Sequence, residues 1–362
     1  MKQFRLSKKE QLVLFSLIKY PTHTDKQIAE TMNLKHSTVT SIRHRLKYNG
    51  YFRKLKIPCL QQMGCQMLVV IHTNFSPLIP LRERVKITGR TIEVFEEIFF
   101  SVGEQDKGFS LSFSKDFATV GRVNDIRTKT FGKRGLLEEE YPTMVVFPFK
   151  ISKIYRFFDF APLIKKRFDL DVEDIPKTQN FTLNQQHIVD FSDTEKNAYC
   201  MMIRYPEMSD SAIAEEIGLS RHTISISRRR FERDNLIKEI NLPNLINIGF
   251  EILAFYHIKF DPSTYPDMDQ DEADLLMSNS TIFFSSRMFE AIMISVYQDY
   301  DDYNADMMNI VKILKENKWI ASDPIIRTYG LHSLVYIKDF IFAPIAQKMV
   351  GCDSWVKKLL NI

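Results

Sequence analysis

The chain has 362 residues, of which 44% are hydrophobic and 26% are charged, and its formal net charge is +4. This length allows two to four domains with their own hydrophobic cores. The net charge is too small to indicate a partner, so the distribution of charge along the chain has to be examined instead.

The longest apolar runs, such as residues 67–71, have the length of a strand and fall far short of the ~20 residues of a membrane-spanning helix. The N-terminal residues lack the apolar core of a signal peptide, so we expect a cytoplasmic protein. The cysteines form no CxxC pair, and we interpret them as reduced thiols without a metal. They are Cys59, Cys65, Cys200 and Cys352.

The sequence contains an internal duplication. Residues 6–64 align without gaps on residues 191–249, with 16 identities in 59 positions. Shorter matches continue beyond this block, so both halves are expected to share one plan. We predict a winged helix-turn-helix at 1–60, a regulatory domain at 61–168, a linker at 169–190, a second winged helix-turn-helix at 191–245, and a second regulatory domain with a C-terminal helix at 246–362.

Each repeat opens with the pattern of three short helices followed by a wing. Ser7 with Glu10, and Ser192 with Glu195, predict a capping box at the start of the first helix of each repeat. Gly218 separates the second and third helices of the second repeat, where we expect a positive φ. We call these modules the first reader (1–60) and the second reader (191–245).

The third helix of each reader has an apolar side and a polar side. Val39 and Leu46, and Ile224 and Phe231, are expected to face the core. The opposite side carries hydroxyl, imidazole and guanidinium groups, which contact base edges and phosphates in a major groove. The predicted DNA-contacting residues are Ser37, Thr38, Thr40, Ser41, Arg43, His44, Arg45, Lys47, Tyr48, Lys54, Lys56, Arg221, His222, Thr223, Ser225, Arg228, Arg229, Arg230 and Arg233.

Two arginines at equivalent positions have two interpretations. Arg43 and Arg228 lie on the shoulder of the third helix, nearer the core than the groove. They are either phosphate anchors or braces that pair with Glu30 and Glu215 on the second helix. The sequence leaves both interpretations open.

The segment after each reader predicts the order strand, helix, strand, strand, helix, strand, which is ferredoxin-like with both helices on one face. We call these segments the first α/β domain (61–168) and the second α/β domain (246–362). The last strand is predicted over residues 144–155 in the first and 324–336 in the second. The predicted fold class is therefore α+β, with two tandem repeats of a winged helix-turn-helix and a βαββαβ (RAM-like) domain.

The sequence resembles the Lrp/AsnC family of transcription regulators, most specifically in IAEEIGLSRHTISISRRRF at 213–231. The resemblance implies a winged helix-turn-helix joined to an effector domain, dimers or larger assemblies, and response to amino acids. The family's Gly-x-x-Asp effector signature corresponds to Gly103 and Asp106. The second half has Arg287 and Glu290 there, which puts an amino-acid effector in doubt.

We therefore predict a DNA-binding transcription regulator with no catalytic residue, cofactor or metal site, and not an enzyme. The expected partners are double-stranded DNA, a second copy of the chain, a small-molecule effector and the basal transcription machinery. His72 and His257 occupy equivalent strand positions, as packed histidines or as a paired metal or pH-sensing site.

Two other functions fit the same architecture. Siroheme decarboxylases resemble it and work as paired or fused halves, with active-site histidines near the second strand. The stretches EEIFFSVGEQ and NSTIFFSSRM, which correspond to that strand, contain no histidine. The second alternative is an adaptor that uses its modules for protein contacts.

Overall fold

The computed structural model describes residues 6–138, 141–172 and 188–352. The fold is a mixed α+β fold with several sheets. Most of the predicted linker at 169–190 lies outside the described residues. The chain folds into two compact units, each built from three separate stretches of sequence. Unit 1 comprises Met1–Lys54, Ile151–Thr182 and Glu239–Ser333, and unit 2 comprises Leu55–Lys150, Leu183–Lys238 and Leu334–Ile362.

The two halves of the chain contain the same elements in nearly the same order. The first half contains α1 (Lys8–Lys19), α2 (Asp25–Thr31), α3 (His36–Tyr48), β1 (Phe52–Pro58), β2 (Met67–Asn74), α4 (Leu81–Glu93), β3 (Ile98–Gly103), β4 (Lys107–Ser114), α5 (Phe117–Lys133), β5 (Thr143–Pro148), β6 (Ser152–Phe157) and α6 (Ala161–Phe168). The second half contains α7 (Asp193–Arg204), α8 (Asp210–Ile217), α9 (Arg221–Arg233), β7 (Ile237–Pro243), α10 (Leu245–Ile248), β8 (Ile252–Lys259), α11 (Gln270–Leu276), β9 (Thr281–Arg287), β10 (Glu290–Tyr297), α12 (Tyr300–Glu316), β11 (Ile325–Gly330), β12 (Val335–Lys338) and α13 (Ala343–Val350).

Local sequence accounts for the helices of both readers. Ser7 and Ser192 form the predicted capping boxes with the glutamates three residues later. Gly218 has φ +66, which lets α8 end in the left-handed conformation that glycine favours. The predicted inward residues of α3 and α9 are buried, with Val39 and Ile224 fully enclosed.

Each α/β domain has a five-stranded sheet. The strand order is β12-β3-β4-β2-β5 in unit 2 and β11-β8-β10-β9-β6 in unit 1, and β1 pairs with β7 in a separate two-stranded sheet. Side chains alternate between the two faces of a strand. Val69 and Ile71 pack against Val120 of α5, so this side of the unit 2 sheet is its helix face.

The predicted last strand of each half is wrong in one respect. The chain turns at residues 149–151 and again at residues 331–334, so each predicted strand is two strands in two different sheets. β5 pairs with β2 of its own half, whereas β6 pairs with β9 of the second half. Conversely, β12 from the second half pairs with β3 of the first. The apolar pattern is continuous across each turn, and strand pairing over such distances has no local signal.

This exchange places each reader with the α/β domain of the other half. Unit 1 contains the helices of the first reader and most of the second α/β domain, and there α6 packs on α1. Unit 2 contains the helices of the second reader and most of the first α/β domain, and there α13 packs on α7. Across the described part of the chain, the helices are too short or too polar to cross a bilayer.

Candidate functional site

The polar sides of α3 and α9 lie at the surface. Tyr48 is 92% exposed and Ile226 is 53% exposed. Ser37, Ser41 and His222 are also exposed. Helical periodicity therefore identified the exposed side of each of these helices correctly.

The shoulder arginines are braces, with partners other than the predicted ones. Arg43 Nε lies 2.5 Å from Asp25 Oδ1, and Arg228 Nη2 lies 2.5 Å from Asp210 Oδ1. Both aspartates are the first residue of the second helix of their reader. A carboxylate at a helix N-terminus also interacts favourably with the helix dipole. This favours the aspartates, rather than the predicted glutamates, as ion-pair partners of the two arginines.

A second pair of arginines is held by the capping-box glutamates. Arg45 Nε lies 2.8 Å from Glu10 Oε1, and Arg230 pairs with Glu195 in the same way. Burial alone would raise the pKa of Glu10, but hydrogen bonds from Ser7 and the contact with Arg45 outweigh it and lower the pKa below its ordinary value. These cations are therefore already neutralised within their own reader.

The remaining basic residues of this surface differ in their exposure and in their ion-pair partners. Arg233 pairs with Asp234, and Lys54 Nζ lies 2.9 Å from Glu239 Oε2. Lys56 lies in the buried part of β1 and is only 3% exposed, unlike the surface lysine that the predicted phosphate contact from the wing requires. Contacts of the other predicted residues with DNA stay untested predictions.

The predicted effector residues lie at the hairpin turn that joins β3 to β4. Gly103 is buried at the end of β3, whereas Asp106 is exposed in the turn before β4. Arg84 of α4 lies against this turn, where its Nη2 donates a hydrogen bond to the Glu104 carbonyl. A Cβ at Gly103 would come 3.3 Å from Arg84 Nη1, so the glycine makes room for the guanidinium.

The two equivalent histidines are buried on the sheet face opposite the helices. His72 is 0% and His257 is 1% exposed. His257 Nε2 lies 3.5 Å from Glu290 Oε1, and Arg287 Nη2 lies 2.5 Å from Glu290 Oε2. The hydrogen bond with His257 and the neighbouring Arg287 outweigh burial and lower the pKa of Glu290 to about 2.

The two histidines have different surroundings. Glu290 stands opposite Lys259 in the register of β8 with β10, while Lys107 stands opposite Asn74 at the corresponding position of β2 with β4. A carboxylate in one half is therefore replaced by an ammonium group in the other. The histidine sites are not equivalent electrostatically.

The cysteines also differ from the expectation that all are reduced. Cys200 of α7 forms a disulfide with Cys352, which follows α13. Cys59 and Cys65 are thiols, and burial raises their pKa values to about 11 and about 12. No cluster of three or more potential metal-binding side chains occurs within the ranges that the structure describes.

One buried cation was not predicted from the sequence. Arg127 of α5 is 3% exposed and lies between the helices and the sheet of the first α/β domain. Its Nη1 donates a hydrogen bond to Ser110 Oγ at 2.9 Å. Burial lowers the pKa of this guanidinium to about 10, which leaves it charged at neutral pH. The signal that could have found it is the repeat itself, because Ile310 occupies the same position of α12.

Comparisons with known proteins concern the fold. No family model and no curated protein matches the sequence. The siroheme decarboxylase NirDL in complex with an iron-uroporphyrin III analogue matches 97% of this chain and 99% of its own, with a TM-score of 0.50 and 8% identity. A second structure of NirDL matches 94% of this chain and 98% of its own, with a TM-score of 0.49 and 8% identity.

Transcription regulators match a smaller part. AsnC of E. coli covers 40% of this chain and 93% of its own, with a TM-score of 0.31 and 11% identity. A regulator from Neisseria meningitidis in complex with L-Met covers 40% of this chain and 90% of its own, with a TM-score of 0.33 and 13% identity.

These findings correct two predictions. The interpretation of the whole chain as a DNA-binding regulator is wrong, since the fold that covers nearly all of it is that of an enzyme. The prediction that the protein is not an enzyme is wrong for the same reason. The predicted partners and assembly are tested by none of these observations. Identity of 8% shows a shared fold, so the chemistry has to come from this chain's own residues.

Proposed function

We propose that this chain is an enzyme that removes carbon dioxide from side-chain carboxylates of a tetrapyrrole of the siroheme class. The observation that carries this proposal is the extent of the match, which covers 97% of this chain and 99% of a siroheme decarboxylase. The match includes both halves of this chain. We further propose that each half is a winged helix-turn-helix with a ferredoxin-like domain that serves as scaffold.

The reaction requires an acid. When an acetate side chain loses carbon dioxide, its carbon–carbon bond breaks and the electron pair stays on the methylene carbon. A proton must then be delivered to that carbon to leave a methyl group. Imidazole is the side chain best suited to hold and release a proton near neutral pH. Active-site histidines were expected near the second strand of each half, whereas the buried histidines lie on the first.

His257 is the better proton donor of the two. Glu290 lies next to its Nε2 and remains a carboxylate at all but very low pH, because its pKa is lowered to about 2. A neighbouring carboxylate stabilises the protonated imidazole and fixes its orientation. His72 has Lys107, rather than an acid, at the corresponding register position. We therefore assign proton delivery to His257, with Glu290 as a positioning residue.

The test uses the full chain with siroheme or iron-uroporphyrin III under anaerobic conditions. We expect a shift of the tetrapyrrole's Soret absorbance on mixing, and a product that has lost the mass of carbon dioxide. His257→Asn should slow product formation by a factor of about 100 or more. His72→Asn is the matched control, and it should retain most of the activity.

The outcomes separate the parts of the proposal. Absence of both a Soret shift and a decarboxylated product, with either substrate, would refute the enzyme function. Equal loss of activity in the two variants would refute the special role of His257. Glu290→Gln adds a third readout, since loss of a positioning residue should slow product formation while leaving the Soret shift on mixing unchanged.

A further inference from the structure

The interior of the first α/β domain holds a cation where an apolar core is expected. Arg127 is 3% exposed, and its guanidinium carbon lies 5.9 Å from the centre of the Phe131 ring. Its Nε has no hydrogen-bond partner. Among the residues that the structure describes, no carboxylate pairs with it. A buried charge without a counter-ion is destabilising by several kcal/mol.

The second half of the chain shows that the fold does not require this cation. Helices α5 and α12 have the same length, and Ile310 occupies the position of Arg127. Met293 of β10 likewise occupies the position of Ser110 in β4. Ile310 and Met293 belong to one apolar cluster together with Phe284. The same space is thus filled by hydrocarbon in one half and by a charged and polar set in the other.

The sheet below Arg127 carries small and polar side chains. Ser110 is paired with Ser101 across β4 and β3, and Gly108 is paired with Gly103 in the same two strands. All four lie on one side, because strand residues two apart share a face. The two glycines admit the side chains of Arg84 and Phe75 against the sheet, and the two serine hydroxyls give this face a polar surface next to Arg127.

Two more polar groups on α5 lack partners. Asn124 Oδ1 and Thr128 Oγ1 are buried atoms with no hydrogen bond. Asn124 lies three residues before Arg127 and four before Thr128, the spacings at which side chains are neighbours on a helix. The amide of Asn124 can present its Nδ2 donor by rotation about its last torsion. Guanidinium, hydroxyl and amide donors are the groups that bind an oxyanion.

We propose that Arg127, Asn124 and Thr128 form a binding site for a small carboxylate anion between α5 and the sheet of the first α/β domain. The guanidinium would donate from Nε and from an Nη group to the two carboxylate oxygens. Ser110 positions the guanidinium by accepting its Nη1 hydrogen bond at 2.9 Å. The site does not depend on the proposed decarboxylase function, and no equivalent exists at Ile310.

The test measures thermal unfolding and calorimetric binding of the full chain with acetate, at constant ionic strength with chloride as the replaced anion. The melting temperature of the natural protein should rise with acetate, since a ligand that binds only the folded state stabilises it. Arg127→Met removes the charge at similar volume and should abolish the rise. Ile310→Met, at the equivalent position of the second half, should preserve it.

A second variant protects the test against misfolding. Thr128→Val keeps the shape of the side chain and should weaken acetate binding by a factor of about 10, the value of one lost charge-assisted hydrogen bond. No response of the natural protein to acetate would overturn the proposal. An unchanged response in Arg127→Met would do the same, and a response to inorganic phosphate alone would overturn the assignment to carboxylates.

Discussion

Arg43 of α3 lies 2.5 Å from Asp25, the first residue of α2, so an ion pair ties the third helix of the first reader to its second. The same carboxylate accepts a hydrogen bond from Thr40 at 2.8 Å, and Arg43 also donates to the His23 carbonyl at 3.1 Å. These contacts use side chains that the sequence assigned to DNA. Their role within the fold can be measured directly.

Breaking this pair should destabilise the protein. We expect Asp25→Asn and Arg43→Gln each to lower the free energy of unfolding by about 1 kcal/mol, since the pair is partly buried. A double-mutant cycle followed by urea denaturation should give a coupling of about 0.5 kcal/mol or more. Ser41→Ala, on the exposed side of α3, is the control and should change little. A coupling of zero would show that the pair is not a brace.

Glycine at the start of β4 should be irreplaceable. A Cβ at Gly108 would lie 2.8 Å from the Val102 carbonyl oxygen and 3.2 Å from the Phe75 ring. Because the first of these atoms is backbone, we expect Gly108→Ala to cost about 2 kcal/mol of stability. Gly121 of α5 has open space around it, so Gly121→Ala should stabilise the helix by up to about 1 kcal/mol. Chemical denaturation of both variants would show whether the signs differ.

Ionised Glu290 should stabilise the folded state, and this stabilisation should be lost at low pH. Its pKa falls from 4.5 to about 2 in the folded state, through its hydrogen bond with His257 and the contact with Arg287. A depressed carboxyl pKa stabilises the folded state above the unfolded pKa, and the benefit is lost as the pH falls through the folded value. Relative to Glu290→Gln, the natural protein should be more stable by about 2 kcal/mol near neutral pH.

The free energies of unfolding of the natural protein and of Glu290→Gln should also be compared as the pH is lowered. As the pH falls from about 4.5 to about 2 the difference between the two should shrink, because the unfolded carboxyl takes up a proton in this range while the folded carboxylate stays ionised. Glu316→Gln is a suitable control, since Glu316 is 64% exposed and pairs with Lys312 on the same helix. A difference that stays constant with pH would contradict the assigned cause of the shift.

The disulfide between Cys200 and Cys352 should be measurable in two ways. The two residues are 152 apart in sequence, and closing a loop of that length stabilises a fold by about 5 kcal/mol in the chain-entropy model. Reduction, or Cys200→Ser, should therefore lower the melting temperature strongly. Peptide mass mapping without reductant should find the linked pair. Full alkylation of both residues in the untreated native protein would show that the bond is not formed.

The other two thiols should resist modification. Burial raises the pKa of Cys59 to about 11 and that of Cys65 to about 12, so both remain protonated near pH 8. We expect iodoacetamide to label them only after unfolding. Labelling of either residue in the native protein at a rate close to that of a free cysteine peptide would contradict this.

The sequence predicted the features that depend on neighbouring residues. The capping boxes at Ser7 and Ser192 and the positive φ of Gly218 follow from side chains a few positions away. Helical periodicity likewise predicted the inward residues of α3 and α9. These features need only helical geometry and hydrogen bonds within one or two turns, which a single sequence contains.

Long-range features could not be predicted in the same way. β6 and β12 each join the sheet of the other half, and nothing near residues 149–151 specifies that partner. Arg127 was missed because an arginine in a helix rich in charge is normally exposed. The basic residues of the readers were read as ligand contacts, because the acids that pair with Arg43 and Arg45 lie on other helices.

Because β12 joins the sheet of the first half, that sheet can be completed only late in the synthesis of the chain. β12 covers residues 335–338 and leaves the ribosome long after the other strands of its sheet, which emerge within the first 148 residues. Until then the edge of β3 stays open, and an open edge invites pairing with other chains. A nascent chain stalled before β12 is therefore the species of this protein most prone to aggregate.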